Sequence, residues 1–114
     1  MNDDAQINIF QCLDYIRDTA PDMAQAKAER VYMEEYRKTI KAVLMQKAEA
    51  LGAKSAATQE REAYANTEYQ IHLKALQSAV EKEERYRWMM VAASAKIEVW
   101  RSIESSRRIE AKTL

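Results

Sequence analysis

From Tyr69 the apolar positions step by four, three and four through Leu73, Leu76 and Val80, and from Met90 by three, four and three through Ala93, Ile97 and Trp100. This is the spacing of a helix that packs along one face. No glycine or proline interrupts it, so the pattern predicts one final helix from about Glu68 to Lys112, roughly 67 Å if continuous. Upstream, Ile9, Leu13 and Ile16, widened by Phe10, predict a first helix from about Ala5 to Asp18, with Asp3 and Asp4 as caps. Thr19-Ala20-Pro21-Asp22 reads as a stop and restart: Thr19 as N-cap, Pro21 in a first turn where its missing N–H costs little.

A second helix then runs to about Leu51, roughly 45 Å. Small Ala24 and Ala28 precede bulky Val31, Tyr32, Met33, Tyr36, Ile40, Val43, Leu44 and Leu51. Gly52, the one glycine, supplies the left-handed residue that closes helices. Ser55 caps a short helix over 56–65 ended by Asn66, and Thr67 with Gln70 three residues on has the capping-box form that opens the final helix.

These elements predict an all-α fold, a long-helix hairpin or bundle with an extended C-terminal helix, in a single helical domain over residues 1–114. The final helix outruns what the second can cover. Because helices in proteins draw their stability mostly from packing, a further subunit is the simplest supplier of the missing surface, and a homo-oligomer is expected. Two details sharpen this. The interval Glu81-Lys82-Glu83-Glu84-Arg85-Tyr86-Arg87 interrupts the apolar stripe and offers Glu81–Arg85 and Glu83–Arg87 pairs, so it reads as a solvated stretch or a hinge. Trp88 to Ala93 is apolar at six consecutive positions, too greasy all round for one neighbouring helix to bury. Trp88, Met89, Met90, Ile97 and Trp100 are therefore the candidate residues for assembly, or for docking a different protein.

Composition narrows the classes. With 114 residues, 47% hydrophobic and 32% charged, the chain suits one domain, and no apolar run approaches the ~20 residues that span a bilayer. An acidic Met1-Asn2-Asp3-Asp4 start and a lone Cys12 fit a cytoplasmic protein without membrane contact. Eighteen basic residues balance eighteen acidic ones, but residues 1–22 carry net −4 and residues 85–114 net +4, as if acidic and basic ends meet within or between subunits.

Candidate chemistry is sparse. His72, four residues after Glu68, lies outside the Glu-x-x-His pattern of helical metal sites, and the two read as a helix-stabilising pair. Cys12 lacks an activating neighbour and reads as a packed thiol. One glycine cannot build a phosphate-cradling loop. No catalytic residue, metal or cofactor is assigned. Nucleic acid is the more serious rival, because Arg37, Lys38, Lys41 and Lys47 lie in an acid-free stretch near aromatics.

The segments Asp14-Tyr15-Ile16-Arg17-Asp18-Thr19-Ala20-Pro21, Ala57-Thr58-Gln59-Glu60-Arg61-Glu62-Ala63-Tyr64-Ala65 and Lys96-Ile97-Glu98-Val99-Trp100-Arg101-Ser102 together resemble small helical proteins encoded by tailed bacteriophages near DNA recombination and replication genes. The resemblance spans about residues 14–102. It brings no catalytic residues and implies a setting in phage DNA metabolism. The expected function is that of a non-enzymatic helical interaction protein, an accessory to such a machine. The alternative is direct DNA or RNA contact through the Arg37–Lys47 face.

Overall fold

The computed structural model describes residues 6–113. Among them it contains three helices, α1 (Ile9–Ala50), α2 (Ala56–Ala65) and α3 (Thr67–Thr113), and no strand. The all-α expectation holds, and α3 is the uninterrupted 47-residue helix that its lack of breakers predicts.

Three boundaries differ from the sequence reading. The helix expected from Ala5 begins at Ile9 instead, because Asn8 Oδ1 accepts the Gln11 N–H at 3.1 Å and caps it there; the proposed caps Asp3 and Asp4 lie outside the described residues. The break expected at Thr19–Asp22 does not occur. Residues 9–50 form one helix with Pro21 inside it. Proline removes a single ladder bond, and the buried Thr19 with the half-buried Met23 hold the helix on either side. At the start of α3, Asn66 rather than Thr67 is the cap: its Oδ1 accepts from Glu68 N–H at 2.8 Å, while Gln70 Nε2 reaches back to the Tyr64 carbonyl at 2.8 Å.

The other terminators form as read. Ala53 N–H bonds to Ala48 O at 2.9 Å and Gly52 N–H to Glu49 O at 3.0 Å, the paired bonds of a Schellman closure. Gly52 sits at φ +110°, a conformation that side chains disfavour. Gly52→Ala should therefore lower stability by about 1 kcal/mol in thermal unfolding although open space surrounds its Cα. Ser55 accepts from Thr58 N–H at 3.1 Å to start α2.

The chain divides into two compact units, one made of residues 25–83 and the other of the chain up to Ala24 and from Glu84 onward. The Glu83–Glu84 boundary falls inside the charged interval. In the 25–83 unit, Leu44, Ala63 and Tyr69 form the core, with Ile40, Met45 and Leu73 packed against them. Arg30 on α1 binds both carboxylate oxygens of Glu83 on α3 and one of Glu34 at 3.1 Å. The Glu83 side chain is only 12% exposed, so this part of the interval is not the solvated stretch expected; 53 residues of separation hid its partner. Glu83 raises the Arg30 pKa above its ordinary value, chiefly by hydrogen bonding.

In the other unit, Cys12, Thr19 and Ala93 are the buried positions among the described residues. They belong to two narrow seams. On α1, Cys12, Ile16, Thr19 and Met23 step by four, three and four; on α3, Met90, Ala93, Ile97 and Trp100 step by three, four and three. Small side chains occupy the most buried positions, and the bulky ones stay partly or wholly outside.

Candidate functional site

Two regions hold the residues singled out in the sequence. The first is the apolar surface of the unit containing the two chain ends. Met90, Ile97 and Trp100 are half-buried and share the face of Ala93, whereas Trp88 is 58% and Met89 half exposed. The five therefore do not form one patch. Trp88 instead begins a second stripe on α3: Trp88, Ala92, Ala95, Val99, Ser102, Ser106 and Ile109 step by four, three, four, three, four and three. All are exposed, Val99 at 52% and Ile109 at 61%. Helical geometry puts this stripe on the side of α3 away from Ala93.

On α1 the corresponding set is Phe10, Leu13, Ala20 and Ala24, with Arg17 at the middle step and Phe10 74% exposed. A groove of about 480 Å³ lies alongside, lined by Gln11, Cys12, Tyr15, Met89, Ala92, Ala93 and Lys96. No large side chain anywhere in the described chain is fully buried. Counting heptads separately on each helical face would have shown these second stripes; following the strongest stripe alone does not.

The second region is the basic stretch of α1. Its four cations are not a free patch. Lys38 pairs with Glu35 at 3.2 Å, Lys41 with Glu60 on α2 at 3.1 Å, and Lys47 with Glu68 on α3 at 3.5 Å. The stretch is acid-free in sequence only, since α2 and α3 return carboxylates to it. Hydrogen bonding to Tyr64 and then to Glu60 raises the Lys41 pKa. Arg37 alone of the four has no ion pair among the described residues. It lines a cavity of about 280 Å³ with Lys38, Lys41, Tyr64 and Tyr69, where Lys41 Nζ also sits 4.9 Å from the Tyr64 ring centre.

The paired reading of Glu68 and His72 is corrected. Glu68 faces Lys47, and His72 Nε2 donates to the Met33 carbonyl at 2.7 Å while its ring meets Tyr36 edge-on at 5.8 Å. That bond fixes the proton on Nε2 and makes His72 a brace between α3 and α1. Cys12 is buried. Among the described residues no three His, Cys, Asp or Glu side chains come together as a metal site, and no helix is long and apolar enough to cross a membrane.

No protein-family model matches the chain, and comparison with curated proteins and with solved structures finds no similar protein.

Proposed function

We propose that this chain is a non-enzymatic helical interaction protein that acts through protein contact and assembles with further copies of itself. One observation carries the reading: its helices form with few breakers, yet Phe10, Leu13, Trp88, Met89, Val91, Val99 and Ile109 remain exposed and only small residues reach full or near-full burial in that unit. A helix of this length gains its stability from packing, and the uncovered faces are where the missing packing belongs. An accessory role in phage DNA recombination or replication, in the host cytoplasm, rests on the sequence resemblance alone. Affinity capture with the tagged chain, combined with light scattering, tests the reading. Retention of a second copy or of a stoichiometric protein is expected; a monomer that retains nothing would sink it.

Direct contact with DNA or RNA is the second reading. Arg37, without an ion pair among the described residues and grouped with Lys38, Lys41, Tyr64 and Tyr69, favours it, since cations beside aromatic rings suit phosphates and bases. Lys47 would extend the track. On this reading Arg37→Glu with Lys41→Glu should lower affinity for single-stranded DNA in a gel shift by about tenfold or more at low salt. Unchanged affinity removes the site.

A further inference from the structure

Along α1, Ala26, Arg30, Met33, Arg37, Ile40 and Leu44 step by four, three, four, three and four, and so share one face of the helix. That face is the inner one. Five of the six are buried or half-buried, and Arg37 alone is exposed. Arg30, at the same point of the repeat seven residues earlier, meets the Glu83 carboxylate on α3 and Glu34 beside it. Arg37 has no ion pair among the described residues. In place of a carboxylate, α2 and α3 bring Tyr64 and Tyr69 there, and a cavity of about 280 Å³ lies among them. We infer that this cavity seats one phosphodiester group of a single-stranded nucleic acid, held by Arg37, with the neighbouring base against the Tyr64 ring. This deepens the nucleic-acid reading above and rests on it.

Charge sets the count. The cations lining the cavity are Arg37, Lys38 and Lys41, and Glu35 and Glu60 already pair with the two lysines at 3.2 and 3.1 Å. Three positive charges against two negative leave one. A phosphodiester carries a single negative charge and matches it, whereas a terminal phosphate, nearer two at neutral pH, would leave part of its charge unanswered. Lys47 adds nothing inside the cavity, because it is not among the lining residues and faces Glu68 on α3. Guanidinium suits the phosphate, since its fixed fork of donors grips two oxygens at once. Form points to the single strand. Tyr69 is buried, while Tyr64, which meets it edge-on at 5.1 Å, is exposed. Tyr64 is therefore the ring that a base can reach, and only an unpaired strand has bases free to stack on it. Every base has a stackable face, so the seat should not read sequence.

The test uses the full chain and a short fluorescein-labelled oligothymidylate, with binding read by fluorescence anisotropy at several salt concentrations and helicity by circular dichroism. Log affinity should fall with log salt at a slope of about −0.7, the value for one phosphate of a single strand. A duplex of the same length should bind about tenfold more weakly or worse. Both measurements need only the wild-type chain. Arg37→Gln should weaken binding by about tenfold and flatten the slope, and Tyr64→Leu should weaken it by about tenfold with the slope kept, the helical signal persisting in each. Lys47→Gln, outside the cavity, should change affinity by less than about twofold. A slope near about −2.8, the value for four phosphates, overturns the seat and leaves the nucleic-acid reading standing as an open basic track. Equal loss from Lys47→Gln, or a duplex bound as tightly as the single strand, does the same. Affinity unchanged in Tyr64→Leu also overturns it, because a bare anion site needs no ring. A wild-type chain that binds neither probe ends both.

Discussion

Leu44→Ala is expected to lower unfolding stability by about 2–5 kcal/mol, the range for removing a large side chain from a closed site. Leu44 is 2% exposed, the more buried of the two large side chains in the core it forms with Ala63 and Tyr69. Ala63 cannot reach into the space left, since it is itself buried and has only a methyl group. Tyr69 is held by its edge-on contact with Tyr64, 5.1 Å between ring centres. The cavity would persist, and a persistent cavity is what raises the cost. Urea unfolding at one fixed protein concentration measures it, because any assembly adds a concentration-dependent term. Leu51→Ala is the comparison: Leu51 is exposed beyond the end of α1, and its loss should change stability by less than about 0.5 kcal/mol. Equal effects from the two substitutions would mean that this cluster is not the core of its unit.

The fold was legible because its signals are local. Gly52, Ser55 and Asn66 act through bonds that span six residues or fewer, and the structure forms a terminator or cap at each. Long-range partners left no such trace. Glu83 reads as one more carboxylate in a charged run, and nothing near it in sequence points to Arg30. The acid-free appearance of 37–47 failed for the same reason, since Glu60 and Glu68 arrive from other helices. For the apolar surface, the run from Trp88 to Ala93 lies on α3. It did not distinguish the face of Ala93 from that of Ala92, because consecutive apolar residues carry no periodicity. Burial separates them: Ala93 is buried, Ala92 exposed.

Pro21→Ala should move stability in the opposite direction, raising it by about 2 kcal/mol. An interior proline costs a helix about 3 kcal/mol relative to alanine, through the lost N–H bond to the carbonyl four residues back and the ring's clash with it. Here that carbonyl belongs to Arg17, and alanine would restore its donor. Against this gain stands the greater freedom of the unfolded chain once the ring is gone, about 1 kcal/mol. Little packing is at stake, because Pro21 is exposed. The midpoint of thermal unfolding should rise, and the amides around Arg17 and Ala20 should exchange more slowly with solvent. A fall in stability of similar size would show that the local geometry set by the proline is what seats Thr19, buried two residues before it, and Met23, two residues after. The sequence reading treated Pro21 as a boundary because a proline in the first turn is nearly free. Inside a continuous helix it carries a real penalty, and the size of the gain on removing it measures how much packing α1 spends to remain unbroken.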